Sequence, residues 1–487
     1  MRMETVNLTA LELGQAIQTG AVSSVEVVQQ ALERIRQEQT EHPTYITVTE
    51  EQALAQAEQL AKQLPDSPLA GVPAGIKDNL CTKGIKTTCA SRMLKDFVSP
   101  YDATVVERFY AAGGILLGKH NMDEFAMGST GETSCFGTVR NPWDSRRTAG
   151  GSSAGSAASV ANGTCWYALA SDTGGSIRQP AAYCGITGMK PTYGSVSRYG
   201  LIAHASSLDQ VGPLARSAAD CAAILDLIRG QDPRDGTTVP LSGGPLLEQL
   251  TGNLSGVRIG LPTHLLEQVT EEVRQGVLET AEVLQSHGAV VEKCQLPLVK
   301  EAVAAYYILS SAQASSNLAR YDGVKYGWRD NTAANANELY ARSRSQGFGM
   351  EVQRRIMMGT FVLSAGHYDA WYGRALETQQ QVKQAWNTQL ERFDLLLMPV
   401  TPSAAPKLGQ YEQDPLAMYL DDVFTVGANL TGLPAISIPC KPDAEGHPLG
   451  VQLIGRAFED ALVLNAAYSV QQDTAYHLRR PTQGEVK

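Results

Sequence analysis

Apolar residues recur at every third or fourth position in some stretches of the chain and form short uninterrupted runs in others. The first pattern predicts helices with one buried face, and the second predicts buried strands. The helical pattern covers residues 8–19, 24–39, 50–63, 104–112, 153–162, 217–229, 271–287, 301–318, 351–363, 369–392, 422–431 and 460–472. The strand pattern covers residues 72–76, 115–118, 165–171, 257–261, 289–291, 394–400, 435–439 and 450–454. This alternation of helices and strands predicts an α/β layer architecture.

Length and composition are those of a large globular protein. The 487 residues are 43% hydrophobic and 18% charged. The length is enough for one oversized domain or for two. A helical lead-in occupies about residues 1–65, and the block from about 230 to 400 is the best candidate for an insertion or cap. The net charge of -10 argues against a surface that binds nucleic acid by itself.

The sequence carries no clear targeting or metal-binding signal. Its apolar runs stay below the roughly 18 residues of a membrane span, and the N-terminus resembles neither a signal peptide nor an amphipathic leader. We therefore expect a cytoplasmic protein, or one of an organelle stroma or matrix. The eight cysteines form no CxxC pair and are expected to be reduced. The eight histidines lack zinc-binding spacing, so no metal is expected.

One stretch, residues 148–191, differs from the rest because glycine, serine and alanine dominate it. Such a composition is typical of a flexible linker. An apolar segment at 165–170 lies between the two Gly/Ser clusters and a charged residue, Arg178, is embedded in the second, and this argues against a linker. Glycine allows backbone to approach other backbone or a ligand closely. We interpret the stretch as a reaction site built from loop backbone.

Two familiar patterns are candidates for the chemistry of this stretch. Residues 151–155 fit G-x-S-x-G, in which Ser153 would be the nucleophile of a serine hydrolase. Such an enzyme needs a downstream histidine, and His447 and His477 do not stand in a recognisable catalytic segment. A glycine-rich turn that opens a helix at Ser153 could instead bind phosphate. The Walker and G-x-G-x-x-G patterns are both missing, however.

A third interpretation needs no histidine and uses both clusters. Lys77 follows a short apolar run, and burial would lower the pKa of its amine enough for it to act as a general base. Ser152 would relay a proton between Lys77 and the nucleophile, Ser176. Backbone N–H groups could stabilise the oxyanion; the candidates are those of Thr173, Gly174, Gly175 and Ser176.

The two clusters also resemble a known family. GGSSAGSAASVA at 150–161 and DTGGSIRQPA at 172–181 are similar to the two halves of the amidase signature. Ser152 and Ser176 are 24 positions apart, and Lys77 and Ser176 are 99 positions apart, as in that family's Ser–cisSer–Lys triad. A long pattern with fixed spacing is far more specific than a pentapeptide, so the chain is identified as a member of the amidase signature family.

The resemblance implies the fold and the roles of the triad. It implies one amidase domain over residues 1–487, an α/β fold whose mixed central sheet is flanked by helices on both faces. Ser176 would be the nucleophile, Lys77 the base, and Ser152 the bridging residue that follows a cis peptide. Arg178, two residues after the nucleophile, is expected to brace the loop through carbonyl groups or through Asp172.

Four further segments resemble one branch of the family, the glutamine-hydrolysing subunits of tRNA-dependent amidotransferases. They are residues 119–134, 305–327, 351–372 and 418–440. This resemblance implies two partners, the B and C subunits of a heterotrimer. The B subunit would hold Glu-tRNA(Gln), ATP and Mg and would use the ammonia that this chain releases. No cofactor is expected in this chain itself, and the alternative is a stand-alone amidase of small amides.

Free glutamine carries an α-carboxylate and an α-ammonium, so a site that selects it needs a cation and an anion. The resemblance suggests Arg355 and Asp422 for these roles, with hydrogen bonds from Tyr306 and Ser129. The neighbours Arg354, Asp421 and Tyr307 remain alternatives. Two residues depart from the usual family pattern: Asp421 stands where asparagine is more common, and Gly427 where proline is.

Overall fold

In the computed structural model, one mixed β-sheet of eleven strands runs through the described residues, 4–39 and 43–481. The strands are β1 (Tyr45–Val48), β2 (Pro73–Lys77), β3 (Ile115–His120), β4 (Tyr167–Asp172), β5 (Thr187–Lys190), β6 (Gln210–Ala215), β7 (Arg258–Leu261), β8 (Val290–Lys293), β9 (Leu395–Pro399), β10 (Ala435–Pro439) and β11 (Gly450–Gly455). Their order across the sheet is β1-β3-β2-β4-β6-β5-β10-β11-β9-β7-β8.

The α-helices pack around this sheet. They are α1 (Ala10–Gln18), α2 (Ser24–Glu38), α3 (Glu50–Leu60), α4 (Thr104–Ala111), α5 (Ala154–Asn162), α6 (Arg178–Cys184), α7 (Ala218–Ile228), α8 (Glu271–Ser286), α9 (Val299–Leu318), α10 (Ala336–Gly347), α11 (Met350–Val362), α12 (Arg374–Arg392), α13 (Pro415–Leu420), α14 (Val426–Thr431) and α15 (Asp460–Asp473). Short 3-10 helices cover Thr5–Asn7, Arg92–Leu94, Glu124–Ala126, Leu247–Gln249, Thr263–Gln268, Asp421–Phe424 and Tyr476–Leu478, and one π-helical turn covers Asp369–Gly373.

The strand directions explain where the site lies. Strands β3, β2 and β4 are parallel neighbours, and Ile76 of β2 pairs with Leu169 of β4. The carboxyl ends of β2 and β4, at Lys77 and Asp172, therefore meet at the same edge of the sheet. Ligands of α/β proteins bind outside such strand ends. Every residue of β2, β3 and β4 is buried, as is expected of strands covered by helices on both faces.

The predicted helices and strands are all present, with ends that differ by a few residues. The α2 cap is Ser23, whose side chain accepts a hydrogen bond from the backbone N–H of Glu26. The predicted helix 422–431 is a 3-10 turn followed by α14, and the predicted helix 369–392 begins with the π-helical turn.

The prediction lacked several elements: β1, β5, β6, α6, α10 and the short α13. Most of these sequences carry residues that interrupt the usual patterns. Strand β6 reads QVGPLA and α6 reads RQPAAYC, so proline or glycine obscures both. The block 230–400 supplies β7, β8 and β9 to the common sheet and α9 to the wall of the site. Its interpretation as an insertion or cap stays a prediction.

The structure shows the state of the cysteines and allows a search for metal-ligand clusters and membrane-spanning helices. All eight cysteines lie among them and are free, and only Cys135 is exposed. Within residues 4–39 and 43–481, no cluster of three candidate metal ligands occurs. The helices in this part of the chain are too short or too polar to cross a bilayer.

Gly427→Ala is expected to destabilise the fold, because helix α14 packs tightly on the buried Trp386 of α12. An added Cβ at Gly427 would lie 2.2 Å from Trp386 Cζ2. Overpacking of this kind lowers the free energy of unfolding by about 1–3 kcal/mol. Urea unfolding would measure the loss. Gly244→Ala is the matched control, since its Cβ meets no atom within 4 Å; equal stabilities of the two variants would contradict the expectation.

Candidate active site

Lys77 lies at the carboxyl end of β2 with its side chain fully buried. Its Nζ donates to Ser152 Oγ at 2.7 Å and to Ser171 Oγ at 3.1 Å. A third contact, to the carbonyl oxygen of Ser171, measures 3.3 Å. Ser171 Oγ also accepts a hydrogen bond from Asn79 Nδ2 at 2.9 Å, which holds it beside the amine.

Burial lowers the pKa of Lys77 to about 7, although three buried carboxylates act in the opposite direction. These carboxylates belong to Asp123, Asp172 and Asp209. An amine with this pKa is about half neutral at pH 7, and its neutral form can accept a proton. The structure therefore gives Lys77 the protonation behaviour that a general base requires.

Ser152 links the lysine to the glycine-rich loops. Its hydroxyl accepts the Lys77 hydrogen bond, and the peptide bond between Gly151 and Ser152 is cis. The carbonyl of Ser152 accepts from the N–H of Asp123 at 3.1 Å. The next residue, Ser153, donates its N–H to the carbonyl of Ser176 at 3.2 Å. The two Gly/Ser clusters therefore meet directly.

Ser176 lies in the loop between β4 and α6, and it is 8% exposed. The two glycines before it allow close packing. A Cβ at Gly174 would lie 2.4 Å from Tyr306 Oη, and one at Gly175 would lie 2.4 Å from Thr425 Oγ1. Gly175 also has φ +133°, which side chains disfavour. The loop therefore needs glycine at both positions.

The four predicted oxyanion donors are not equivalent. The N–H of Gly175 donates to Asp172 Oδ1 at 2.9 Å, so the protein itself already uses this group. Thr173 is held by its hydroxyl, which donates to Asp209 Oδ1 at 2.7 Å. The amides of Thr173, Gly174 and Ser176 remain the candidates for an oxyanion.

Ser153, the alternative nucleophile, lies in a different environment. Its hydroxyl donates to the carbonyl of Ser171 at 3.2 Å, and its side chain is fully buried. His447 hydrogen-bonds to Asp443 at 2.8 Å, and the backbone carbonyl of His477 accepts from Arg216 Nη2 at 3.2 Å. Neither histidine contacts Ser153, so the described residues do not form a Ser-His pair there.

A small pocket opens beside Ser176. It brings together the nucleophile candidate and all four residues that were suggested for glutamine: Ser129, Tyr306, Arg355 and Asp422. These come from four separate regions of the chain. The other lining residues are Ala126, Gly128, Gly151, Gly174, His204 and Tyr307.

Arg355 of α11 is the buried cation of this pocket. Its guanidinium lies 4.5 Å from the Tyr307 ring centre and 4.6 Å from that of Tyr419. Its Nε donates to Glu351 Oε1 at 2.7 Å. Burial opposes its charge, but Glu351 and the tyrosines hold the pKa of Arg355 above its usual range. The alternative, Arg354, has a side chain that is 41% exposed and lies outside the pocket lining.

Asp422 is the acid of the pocket. Burial raises its pKa to about 7, while the Tyr307 hydroxyl, which donates to Asp422 Oδ2 at 2.5 Å, acts against the rise. Its neighbour Asp421 accepts instead from the Tyr411 hydroxyl and does not line the pocket. Tyr306 and Tyr307 both do, and Tyr306 Oη lies over Gly174.

Arg178 braces the loop that carries Ser176, and it does so through Asp172 and a carbonyl group. It is fully buried, with Nε 3.1 Å from Asp172 Oδ2. Its Nη2 donates to the Thr425 carbonyl at 3.0 Å and to Asn429 Oδ1 at 2.6 Å. Burial would raise the pKa of Asp172, but Arg178 lowers it to about 2.

Several residues of the site escaped the sequence analysis: Ser171, His204, Asp209 and Glu351. Ser171 stood next to the signature, at the end of a predicted strand, so its position was the available signal. Glu351 begins one of the four segments that resemble the amidotransferase branch, but nothing in the sequence marked it as a partner of Arg355. His204 and Asp209 lie outside those segments, and only the folded chain brings them to the site.

The comparisons with known proteins agree with this arrangement. Residues 26–464 match the family model described as Amidase, and the chain belongs to the amidase family. Within that family, it is similar along its whole length to proteins named as the A subunit of glutamyl-tRNA(Gln) amidotransferase.

Three of these relatives show the extent of the similarity. The protein from Lachnoclostridium phytofermentans is 50% identical, with 97% of this chain and 99% of that protein covered. The protein from Moorella thermoacetica is also 50% identical, with 99% and 100% covered. The protein of the same name from Thermotoga maritima, known from a crystal structure, is 38% identical and has a TM-score of 0.83, with 99% of this chain and 98% of that one covered.

Arg178→Met is expected to lower the free energy of unfolding by about 3–5 kcal/mol at neutral pH, because it leaves the Asp172 carboxylate buried without its partner. The pKa of Asp172 is lowered to about 2 in the folded state. The ionised Asp172 carboxylate therefore stabilises the folded state above pH about 4, and this stabilisation is lost as the pH falls towards 2.

Denaturant unfolding of both proteins at several pH values would measure this effect. Arg146→Met is the matched control: Arg146 also pairs with an aspartate, Asp144, but its side chain is 82% exposed, so little change is expected. An Arg178→Met protein as stable as the Arg146→Met protein at pH 7 would contradict the bracing role.

Proposed function

We propose that this chain is the glutamine-hydrolysing A subunit of a glutamyl-tRNA(Gln) amidotransferase. The observation that carries the proposal is the pocket itself. It places a buried cation, Arg355, and a buried acid, Asp422, beside Ser176. Glutamine has the complementary pair of charges at one end and an amide at the other. The names of the relatives support the same activity.

In the proposed bound state, Arg355 pairs with the α-carboxylate of glutamine and Asp422 with its α-ammonium. Tyr306 and Ser129 add hydrogen bonds. The ammonium would lower the pKa of Asp422 from its value of about 7, because an adjacent positive charge favours the ionised carboxylate. Binding and ionisation of Asp422 therefore support each other.

The reaction begins when neutral Lys77 accepts the Ser176 hydroxyl proton through Ser152. Ser176 Oγ then bonds to the side-chain amide carbon of glutamine. The N–H groups of Thr173, Gly174 and Ser176 stabilise the resulting oxyanion, typically by about 3–4 kcal/mol for a key donor.

Collapse of this intermediate breaks the carbon–nitrogen bond, and the proton returns through Ser152 to the leaving ammonia. A water molecule then attacks the γ-glutamyl ester. It loses a proton to Lys77 along the same route. The bond between the carbonyl carbon and Ser176 Oγ then breaks, the proton returns through Ser152 to Ser176 Oγ, and glutamate leaves.

The ammonia is used elsewhere in the proposed complex. The B subunit activates Glu-tRNA(Gln) with ATP and Mg and receives the ammonia, and the small C subunit completes the heterotrimer. The net charge of -10 on this chain fits an arrangement in which tRNA is held mainly by the B subunit. We place the complex in the cytoplasm.

Ser176→Ala is expected to abolish glutamine-dependent amidation of Glu-tRNA(Gln) by the assembled complex and to leave amidation with added ammonium salt intact. The variant lacks the nucleophile but retains the partner's activation chemistry. Product formation from each nitrogen donor would be measured side by side. Loss of both activities would contradict this division of labour, and a chain fully active on simple amides without partners would favour the stand-alone amidase.

The glutaminase rate is expected to rise with pH through about 7, because only neutral Lys77 can accept a proton and burial lowers its pKa to about 7. Below that value, each pH unit should reduce kcat about tenfold. Asp422 also titrates near pH 7, so kcat at saturating glutamine should be compared with that of Asp422→Asn. The rise of kcat with pH should persist in this variant. A kcat that stays constant from pH 6 to 9 would argue against Lys77 as the base.

A further inference from the structure

His204 is a buried histidine in the pocket wall to which no role has so far been given. It lines the pocket together with Ser176, Arg355 and Asp422. It is 2% exposed, and neither Nδ1 nor Nε2 has a hydrogen-bond partner among the described residues. Most buried polar groups are paired, so an imidazole with two unpaired nitrogens needs an explanation.

The backbone around this ring, by contrast, is firmly held. The N–H of His204 donates to Asp209 Oδ2 at 3.0 Å, and its carbonyl accepts from Asn317 Nδ2 at 3.2 Å. Asp209 Oδ1 in turn accepts the hydroxyl of Thr173, in the nucleophile loop. One carboxylate thus fixes His204 relative to Ser176, while the imidazole itself contributes no hydrogen bond to the described part of the fold.

The imidazole is neutral under working conditions. Burial lowers the pKa of His204 to about 3, and the nearby charges of Arg355 and Lys77 act in the same direction. A neutral imidazole has one N–H donor and one nitrogen acceptor. Glutamine offers acceptors in its amide and carboxylate and donors in its amide and ammonium, so it can satisfy both nitrogens.

We propose that His204 is a substrate-binding residue that hydrogen-bonds to glutamine in this pocket. The proposal rests on the glutaminase function proposed above. A buried, unpaired polar group costs roughly 1–3 kcal/mol, and a ligand that pairs with it recovers part of this cost on binding. Hydrogen bonds from glutamine to the imidazole thus add to the affinity and the specificity of the site.

Replacement by phenylalanine separates this role from a structural one. His204→Phe keeps a planar ring but removes both hydrogen-bonding nitrogens. In the assembled complex, we expect its KM for glutamine to rise about tenfold, equivalent to about 1.4 kcal/mol. Its Tm should stay equal or increase, because the substitution removes an unsatisfied group. His204→Gln, which retains a donor and an acceptor, should recover part of the affinity.

The matched control is His477→Phe. His477 is also buried and has an unpaired Nδ1, but it does not line the pocket, so its KM should equal that of the wild type. As a second measurement, glutamine should raise the Tm of the Ser176→Ala complex more than that of the Ser176→Ala, His204→Phe complex. This comparison needs no turnover, so it tests the role of His204 even if the His204→Phe complex is too slow for a KM to be measured.

The outcomes distinguish the two proposals. If the wild-type complex is active and the KM of His204→Phe lies within twofold of the wild-type KM, the role of His204 is refuted. The proposed glutaminase function is not affected by that result. Equal glutamine-induced shifts in Tm would refute the role of His204 as well. A wild-type complex without glutaminase activity would refute the underlying function instead.

Discussion

The site depends on one electrostatic constraint, an amine in the protein interior whose hydrogen bonds go to uncharged oxygens. Lys77 Nζ contacts two serine hydroxyls and one carbonyl. Lys119, on the neighbouring strand β3, is equally buried but lies 3.3 Å from the carboxylate of Asp78. Two buried lysines in adjacent strands thus have different surroundings. Lys119 has an ion-pair partner, whereas Lys77 contacts two hydroxyl groups that can exchange protons with it.

The glycine-rich loops follow from the same constraint. Water must be kept from the amine, so the loops that carry Ser152 and Ser176 have to close over it with little side-chain bulk. They do so by direct contact, through the hydrogen bond between the N–H of Ser153 and the carbonyl of Ser176. Tyr306 and Thr425 then pack on the two glycines before the nucleophile. Low side-chain volume in the loops is therefore what lets distant parts of the chain complete the pocket.

Local patterns were sufficient for most of the fold and for the position of Lys77. The apolar run before Lys77 placed the lysine at the end of a buried strand, and the structure has it there. Patterns failed where proline and glycine stand inside regular elements, as in β6 and α6. They also left the choice between Arg354 and Arg355 open, because both fit the same helix. Only the packing of α11 against Tyr307 and Tyr419 shows which of the two faces inward.

The places of His204, Asp209 and Glu351 in the site lay beyond sequence reasoning for a physical reason. Asp209 accepts a hydrogen bond from Thr173, and Glu351 accepts one from the distant Tyr419 as well as one from Arg355, a helical turn away. Such contacts depend on how the elements pack and leave no periodicity or spacing in the sequence. An isolated histidine in a predicted loop gives no sign that both of its nitrogens are buried without a partner among the described residues.

The brace formed by Arg178 has a consequence for how such a pocket can change. Arg178 joins Asp172 to Thr425 and Asn429, and the N–H of Thr425 donates to the carbonyl of Asp422. The acidic side of the pocket is thus joined to the loop that carries Ser176, whereas Arg355 is held by Glu351 and two tyrosine rings, one of which, Tyr307, also donates to Asp422. Evolution or engineering towards other amides therefore has fewer ties to the Ser176 loop at α11 than at Asp422, and a change at Tyr307 would affect both walls.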